Sequence, residues 1–566
     1  MTAADLLDSL ETLADAAGGI DHLRELVLHL AVRGRLVPQR PADEPAGALL
    51  ETLEAGRARM IEEGEINQPR HPIGEPVDVP PFRIPDSWVW LRIGDVGAVV
   101  GGGTPKKDAS YWADGDDIPW LTPADMRGQD SRYVSRGARD ITQTGLRASS
   151  AQLLPAGSVL FSSRAPIGHV GIAAQTLTTN QGFKSCVPYV ADLTEYIYLY
   201  LREAGPSINA AASGTTFKEV SGKEVALVPI PVPPVAEQHR IVARVDELMA
   251  LLDRLEAAKE ARDATRAQLR DAALAALQDA NDSEEVKAAW SRIADHMHDL
   301  FTDPADISAL RQTILHLAAR GRLTRQDPEE ETAELFLERV AAERARLVRE
   351  KKTRKPKNLN AVEPGEHPFE LPRGWAHARL GDVVNVVRGI TFPASAKKRS
   401  PASGLIPCLR TSNVQASIEW DDLLYVSRDY VKRPEQYAVE GDIIMSMANS
   451  RELVGKVALL DRQVGSVTFG GFLSVIRPIV LSPRFLMVVL RDSSARQRLI
   501  DSSTQTTNIA NISLGRLNPF VLGVPPLPEQ HRITARVDEL MGFVDRLEAG
   551  ISDLRATQEA FCASSV

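Results

Sequence analysis

The sequence predicts an α+β protein in which two globular α/β domains are joined by long helices that pair as an antiparallel coiled coil. Two observations support this prediction. The chain is an internal tandem repeat, and each copy alternates helical segments with a segment of short β-rich runs. Two copies of one fold in a single chain predict an arrangement with pseudo-two-fold symmetry.

The length and composition indicate a multidomain globular protein. At 566 residues the chain is too long for one hydrophobic core, and usual domain sizes predict about three to five packing units. Hydrophobic residues at 43% and charged residues at 25% exclude the disordered and fibrous classes. The N-terminus resembles no signal peptide and no apolar run is long enough to cross a bilayer, so we expect a cytoplasmic protein without membrane contact.

The most alike stretches of the two copies are predicted helices. Residues 237–257 and 529–549 are identical at 17 of 21 positions, which chance does not produce. Residues 23–39 and 310–326 are identical at 11 of 17 positions. Each copy therefore follows one plan, which is a helical segment, a mixed segment that opens on Pro-x-x-Trp, and a second helical segment.

The interiors of the mixed segments are much less alike. Residues 101–128 have only a faint counterpart in residues 388–414. This contrast favours a common scaffold that presents two different interiors, with an ordinary duplication whose copies drifted apart as the alternative. The expected divisions are an N-terminal helical segment, a first mixed domain, a central helical region with its linker, a second mixed domain and a distal helix, at residues 1–81, 82–230, 231–367, 368–523 and 524–566.

Both repeated helices carry a narrow apolar stripe with heptad spacing, flanked by charge. Each helix should run for about 40 residues, or about 60 Å at the usual rise. The spacing favours pairing of the central helix with the distal one, and burial of each stripe within its own domain is the alternative. The stripe positions are Ile241, Val245, Leu248, Leu252 and Leu255 in the first copy and Ile533, Val537, Leu540, Val544, Leu547, Ile551 and Leu554 in the second.

The charge distribution bears on the class of partner. A net charge of -9 argues against a nucleic-acid binder, which needs cations to displace counterions from phosphates. However, residues 82–230 hold 14 basic and 14 acidic side chains, and residues 368–523 hold 19 basic and 13 acidic ones. The acidity is concentrated in the helical segments, which need not contact DNA.

Motifs for several catalytic chemistries are missing. Residues 214–223 approach a phosphate-binding loop but have the wrong spacing, and no strand-associated GxGxxG is present. Asn518, Pro519 and Phe520 fall short of the Asn-Pro-Pro-aromatic box of amino-methylating enzymes, and no carboxylate pair with a following lysine suggests a nuclease. Cys186, Cys408 and Cys562 lack metal-ligand spacing and are expected to be packing residues. Together these absences favour a binding protein.

The repeated motifs are distinctive in combination. They are the helix starts VPPVAEQHRI from Val232 and VPPLPEQHRI from Val524, the repeats LRELVLHLAVRGRL and LRQTILHLAARGRL, and two domain openings of the form Pro-x-x-Trp-x-x-x-x-Ile/Leu-Gly-Asp. Over almost the whole chain, this set resembles the specificity subunits of type I restriction-modification systems.

The resemblance implies a function and a set of partners. Two target-recognition domains would each read one half of a bipartite, asymmetric sequence in double-stranded DNA, with the paired helices setting the gap between the halves. Two methyltransferase subunits would dock on the helical regions, and restriction subunits with translocase activity would join them. The chain itself would be non-catalytic and bind no cofactor, because S-adenosylmethionine, ATP and Mg²⁺ would be bound by the partner subunits.

Candidate DNA contacts are the basic, hydroxyl and amide side chains in glycine-rich loops of the mixed domains, since cations position phosphates and Arg, Lys, Asn and Gln read base edges. In the first domain they are Thr104, Lys106, Lys107, Arg164, Asn180, Gln181, Lys184, Thr215, Thr216 and Lys218, and in the second Lys397, Lys398, Arg399, Arg410, Asn413, Arg451, Thr506, Thr507 and Asn508. For residues 179–183 packing alone is slightly favoured over DNA contact. Trp88 and Trp375, at matching domain entrances, are expected to be core anchors.

Two other functions are kept as alternatives. One is a self-contained methyltransferase or nuclease with unrecognised motifs, and the other is a protein-binding scaffold organised by the duplicated helices. The acidic total charge favours the scaffold, whereas the basic second domain and the diverged interiors favour DNA binding.

Overall fold

The computed structural model describes residues 10–66, 72–113, 117–128, 131–212, 218–280, 283–355, 359–451, 453–501, 504–506 and 509–564. The chain divides into two compact units, Met1–Arg262 with Arg555–Val566, and Asp263–Leu554. Within the described ranges, no helix combines the length and apolar character that crossing a bilayer requires.

Helices occur in both the helical and the mixed segments of each copy. In chain order they are α1 Leu10–Asp15, α2 Gly19–Val32, α3 Leu49–Glu62, α4 Ile93–Val96, α5 Gln143–Arg147, α6 Thr194–Ala211, α7 Gly222–Ala226, α8 Val235–Asp279, α9 Ser283–Asp295, α10 Met297–Leu300, α11 Pro304–Ala319, α12 Ala333–Arg349, α13 Leu380–Val383, α14 Pro483–Arg491, α15 Ser493–Asp501, α16 Leu514–Leu517 and α17 Leu527–Ser564. The 45 residues of α8 and the 38 of α17 confirm the two long helices that the sequence predicts.

The strands lie in the two mixed segments. In the first unit they are β1 Val89–Arg92, β2 Gly97–Gly101, β3 Trp112–Ala113, β4 Ile118–Leu121, β5 Tyr133–Val134, β6 Arg139–Ile141, β7 Val159–Ser163, β8 Ile167–Ala173, β9 Thr178–Thr179, β10 Lys184–Pro188 and β11 Pro229–Val232. In the second unit they are β12 Ala376–Arg379, β13 Val384–Arg388, β14 Leu405–Leu409, β15 Leu424–Ser427, β16 Ile443–Ser446, β17 Ala448–Asn449, β18 Val457–Leu459, β19 Thr468–Phe469, β20 Leu473–Pro478, β21 Thr504–Thr506, β22 Ile509–Asn511 and β23 Val521–Val524.

The described strands form small, mostly antiparallel sheets. In the first unit the orders are β1-β11, β2-β10-β7-β8-β5 and β3-β6-β4-β9. In the second they are β12-β23, β13-β20-β16-β18, β15-β14-β19 and β17-β22-β21. Two α/β domains in a tandem repeat confirm the fold class that the sequence predicts.

A two-stranded sheet closes each mixed segment where it begins and ends. Val89 lies opposite Val232, and Ala376 lies opposite Val524. The prolines that follow each closing strand cannot continue a sheet ladder and lead directly into α8 or α17. Each mixed segment therefore leaves and rejoins the helical part of its own unit at one place.

A buried glutamate at the start of each long helix, which we call the glutamate anchor, explains the repeated motifs. The Trp88 indole N–H donates to Glu237 Oε2 at 3.0 Å, and the Gln39 amide donates to the other carboxylate oxygen. In the second unit the Trp375 indole donates to Glu529 at 3.0 Å, and the Gln326 amide does so at 3.0 Å. Burial raises the pKa of both anchor carboxyls.

The two tryptophans are core residues, as predicted, with exposed fractions of 6% for Trp88 and 5% for Trp375. Both contact a glycine of the RGRL motif. Gly34 and Gly321 have φ angles of 67° and 71°, in the left-handed region that favours glycine. A Cβ on Gly321 would lie 2.6 Å from the Trp375 ring, so this glycine is also needed for close packing.

A second repeated contact joins the helix that precedes each RGRL motif to the long helix of its unit. Arg24 of α2 pairs with Asp253 and Glu256 of α8, both at 2.7 Å. Arg311 of α11 makes the same contacts to α17, with Asp545 at 2.5 Å and Glu548 at 2.7 Å. The arginine of the Leu-Arg pair that opens each repeated motif therefore forms a helix-to-helix clamp that recurs in both units.

The apolar stripes are largely buried within their own units. Ile241, Val245, Leu248 and Leu252 belong to the apolar core of the first unit. The stripe of α17 from Ile533 to Ile551 contributes to the core of the second. These positions follow the alternative in which each stripe packs inside its own domain, and pairing of the central helix with the distal one stays a prediction.

Replacing either anchor tryptophan should destabilise only its own unit. Trp88→Phe keeps the apolar ring but leaves Glu237 without its indole donor, which should cost about 1–3 kcal/mol. Trp375→Phe is the matched variant for Glu529. Hydrogen exchange followed by mass spectrometry should show faster exchange around residues 23–39 for the first variant and around 310–326 for the second. Equal effects on both regions would contradict two separate anchors.

Candidate nucleic-acid interface

A cleft of about 680 Å³ lies beside the end of β7 in the first unit. Its walls bring together residues from five separate chain segments. They include Thr122, Arg164, Asn180, Gly182, Lys218 and Glu219. Because these groups are distant in sequence, the cleft is a product of the fold rather than of a single loop.

The floor of the cleft is the turn between β9 and β10, residues 180–183, which we call the first turn. The Asn180 N–H donates to the Leu121 carbonyl at 2.8 Å, and the Phe183 N–H donates back to the Asn180 carbonyl at 3.2 Å. The Gly182 carbonyl accepts from the Ser163 N–H at 2.7 Å, and its N–H donates to Asn180 Oδ1 at 2.8 Å. With the Phe183 ring fully buried, the turn is held rigidly.

The cleft carries cations that are already close to a carboxylate. Glu219 lies 3.8 Å from both the Arg164 guanidinium and the Lys184 ammonium. Burial lowers the pKa of Lys184, and Glu219 opposes that shift. The Lys184 ammonium also donates to the Gln181 carbonyl at 3.2 Å, and Thr104 donates to the Gln181 side chain. The arginine, amide and carboxylate groups of this cleft can form hydrogen bonds with base edges.

The second unit builds the same turn with the same backbone hydrogen bonds. Residues 470–473, the second turn, connect β19 to β20. The Gly470 N–H donates to the Leu409 carbonyl at 2.8 Å, and the Leu473 N–H donates to the Gly470 carbonyl at 2.8 Å. The Phe472 carbonyl accepts from the Met447 N–H at 2.9 Å. Each bond has its counterpart in the first turn, so Asn180, Gln181 and Gly182 correspond to Gly470, Gly471 and Phe472.

The neighbouring strands give two further correspondences. The Val220 N–H donates to Ser163 at 3.0 Å, and the Ile512 N–H donates to Met447 at 2.8 Å. Arg164 is therefore the counterpart of Ala448, and Glu219, its bridge partner, of Asn511. The backbone is shared, but the matched side chains, which we call the first and the second mouth, differ. The first mouth carries Arg164, Asn180, Gln181 and Glu219, whereas the matched positions of the second carry Ala448, two glycines, an exposed Phe472 and Asn511.

Comparison with known proteins identifies the family. The family model described as "Type I restriction modification DNA specificity domain" matches residues 85–262 and 372–554. The EcoAI specificity subunit of Escherichia coli is 30% identical over 95% of this chain and 92% of its own length. The EcoEI specificity subunit of E. coli is 28% identical over the same shares, and the MjaIX specificity subunit of Methanocaldococcus jannaschii is 41% identical over 28% of this chain and 37% of its own length.

The chain belongs to the type I restriction-modification specificity-subunit family. The predicted resemblance is thereby confirmed, and the two matched regions confirm the tandem repeat. Each match begins at the proline of a Pro-x-x-Trp opening and continues into a long helix. In this specificity subunit the matched regions contain both turns and both glutamate anchors.

The structure brings together most of the residues predicted for the first domain. Arg164, Asn180 and Lys218 line the cleft, and Thr104, Gln181 and Lys184 adjoin it through the contacts given above. Lys106 and Lys107 lie on the exposed loop after β2, where the Lys106 carbonyl accepts from the Trp112 indole at 3.1 Å. Thr215 and Thr216 lie outside the described residues.

The residues predicted for the second domain are more scattered. Lys397, Lys398 and Arg399 are exposed on one loop. An isolated β-bridge between Lys398 and Tyr425 holds the backbone of this loop. Arg410 is paired with Asp422, and Arg451 with Asp501 at 3.2 Å. Thr506 ends β21, and its side chain, like Thr507 and Asn508, lies outside the described part of the chain.

Asn413 requires a correction, because its side chain is only 2% exposed. Its amide donates to the Glu419 carbonyl at 3.0 Å and to the Asp421 carbonyl at 3.1 Å, and its oxygen accepts from the Arg410 N–H at 3.0 Å. In the first unit Asp125 accepts in the same way from the Thr122 N–H at 2.7 Å. Asn413 therefore positions the loop and does not offer its amide to DNA.

Three groups at the second mouth were not predicted from the sequence. Arg388 is exposed at the end of β13, opposite Ser474, and thus faces the strand position that Lys184 holds in the first unit. Asn511 and Phe472 are exposed as well. Aligning the two copies around Thr178 and Thr468 could have indicated Phe472, but Arg388 becomes recognisable only when the strand register is known.

Replacing Asn413 should destabilise its loop rather than weaken DNA binding directly. Asn413→Ala removes the donors for two carbonyls and should cost about 1–3 kcal/mol. Ser412→Ala, at the exposed neighbouring position, is the matched control. Hydrogen exchange of residues 410–423 in the free protein should accelerate for the first variant alone. Unchanged exchange in Asn413→Ala would restore the residue as a contact candidate.

Proposed function

We propose that this chain reads a bipartite, asymmetric sequence in double-stranded DNA, one half with residues 82–230 and the other with residues 368–523. The observation that supports this proposal is that two turns with the same backbone hydrogen bonds present different side chains. A shared backbone keeps the two surfaces equivalent in shape. Different side chains at the same positions give two unlike half-sites, because base edges are distinguished by hydrogen-bonding and apolar groups.

In the first domain, Arg164, Asn180 and Gln181 are proposed to contact base edges. A guanidinium donates to the two acceptors of guanine, and an amide matches the donor and acceptor of adenine. Lys184, Lys218 and the loop lysines 106 and 107 are proposed to contact phosphates. In the second domain Lys397, Lys398 and Arg399 supply phosphate contacts, which position the protein without reading sequence.

The chain is further proposed to be a non-catalytic subunit that directs others. Methyltransferase subunits, two in number, would dock on the repeated helical parts, because a duplicated frame offers two similar surfaces. Restriction subunits would join this assembly. S-adenosylmethionine, ATP and Mg²⁺ would be bound by those partners, and helices α8 and α17 would set the gap between the two half-sites.

The proposal predicts a split methylation pattern. Co-expression of the full chain with the methyltransferase subunit of the same genome should methylate a motif of two specified halves separated by a gap of fixed length. Exchanging residues 82–230 for those of a relative should change one half of the motif only. A continuous motif, or methylation that persists without this chain, would contradict the proposal.

Substituting a base-reading residue should change DNA binding differently from substituting a phosphate-contacting residue. Arg164→Ala should relax recognition of one half-site by about 1–3 kcal/mol, and Arg164→Lys should do nearly the same because lysine lacks the planar fork. Lys397→Ala should weaken binding to specific and random duplexes alike and reduce the salt dependence by about one counterion. Titrations at several salt concentrations check both. Equal loss on specific and random DNA for Arg164→Ala would exclude base reading by that residue.

A further inference from the structure

Phe472 is the most exposed aromatic side chain among the described Phe, Trp and Tyr residues, with 70% of its surface accessible. Single exposed hydrophobic residues are common on proteins and need no explanation by themselves. The position of Phe472 is what distinguishes it. It holds the place in the second turn that Gly182, a residue lining the cleft, holds in the first.

The backbone at Phe472 is fixed, so the ring is presented outward by the fold. Its carbonyl accepts from Met447, and the next residue, Leu473, is 1% exposed and anchors the start of β20. The Leu473 carbonyl also accepts from the Gly389 N–H at 3.1 Å. An inward Leu473 and an outward Phe472 follow from the alternation of side chains along a strand.

The positions beside Phe472 that match the first mouth hold small or uncharged residues. Gly470 and Gly471 precede it, and Ala448 occupies the position of Arg164. Asn511, opposite Ala448, occupies the position of Glu219. The second mouth thus replaces the charged groups of the first with a protruding apolar ring. Such a ring offers nothing to a phosphate, whereas base faces and the thymine methyl group are apolar surfaces that it can contact.

We propose that Phe472 makes an apolar contact with a base in the half-site read by the second domain and is a specificity-determining residue there. This inference rests on the proposed function. The exposed cation of Arg388, at the neighbouring strand end, supplies a phosphate contact that holds the ring at the base. The two half-sites then differ in chemistry, one read through hydrogen bonds and the other in part through an apolar contact.

The test uses the full chain assembled with its methyltransferase subunit and begins with the wild-type methylation motif. Absence of a split motif in the wild type would overturn the proposed function itself. With the motif known, duplexes in which one half-site is scrambled measure discrimination at each half separately. Phe472→Ala should reduce discrimination at one half-site by about 5- to 100-fold, the range expected for loss of an aromatic contact to a base.

Discrimination at the other half-site is the internal control for folding and assembly, and it should be unchanged in Phe472→Ala. Arg164→Ala should show the opposite pattern. Val439→Ala, which removes another exposed apolar side chain of the same unit, should behave as wild type. Replacing thymine with uracil distinguishes a contact with the thymine methyl group from stacking on a base face. A methyl contact makes the wild type sensitive to uracil, whereas stacking makes it indifferent while Phe472→Ala still loses discrimination.

Three results would overturn the inference about Phe472 while leaving the proposed function standing. One is wild-type discrimination at both half-sites by Phe472→Ala. Another is equal loss at both half-sites, which would indicate a structural role. The third is failure of Phe472→Ala to assemble with the methyltransferase subunit, which would place the ring against a protein partner.

Discussion

A buried carboxylate at the first turn of each long helix is the interaction on which the rest of each unit depends. Glu237 and Glu529 each accept hydrogen bonds from a tryptophan at the entrance of the mixed domain and from a glutamine in the loop after α2 or α11. Removing a buried carboxylate from water is costly unless donors replace the water. Three chain segments must therefore arrive together, which fixes where the mixed domain leaves and rejoins the helical part.

This anchoring separates two requirements that the proposed two-headed reader has to meet. The helical part of each copy is held by repeated contacts, from the glutamate anchor to the arginine clamps of Arg24 and Arg311. The mouths lie elsewhere, on turns that share three main-chain hydrogen bonds. Since those bonds do not depend on side-chain identity, side chains at the mouth can change without disturbing the frame. Sequence similarity is consequently high in the helices and low at the turns.

The sequence was sufficient for the fold class, the duplication and the long helices, because these are written in periodicity and in motifs that recur. The sequence also predicted that both tryptophans are core anchors. It did not predict their glutamate partners, which lie 149 and 154 positions further along the chain. The stripe of α8 was harder to interpret. A narrow apolar stripe fits both a coiled coil and a domain core, and the structure places Leu248 in the core of its own unit.

Site residues were predictable only where local sequence determines exposure. Arg164 and Asn180 stand in glycine-rich and turn-forming sequence, and the fold brings them to one cleft. Asn413 stands in similar sequence but is buried, because its amide is required by two carbonyls that lie six and eight positions further on. Whether a polar side chain faces its own loop or solvent depends on such tertiary partners. Residue type alone does not contain that information.

Ion pairs at the candidate sites bear on the acidic net charge of the chain. Several candidate cations are already close to carboxylates, as in Arg164 with Glu219, Arg410 with Asp422 and Arg451 with Asp501. An exposed pair of this kind contributes at most about 1 kcal/mol, so a phosphate or base can replace the carboxylate at little cost. On the proposed function, the paired cations attract random DNA only weakly until that exchange occurs, because non-specific affinity grows with uncompensated positive charge. A DNA-binding protein discriminates better when its affinity for random sequence falls as well as when its affinity for the specific sequence rises. Cations that begin in local ion pairs would improve discrimination by lowering the affinity for random sequence.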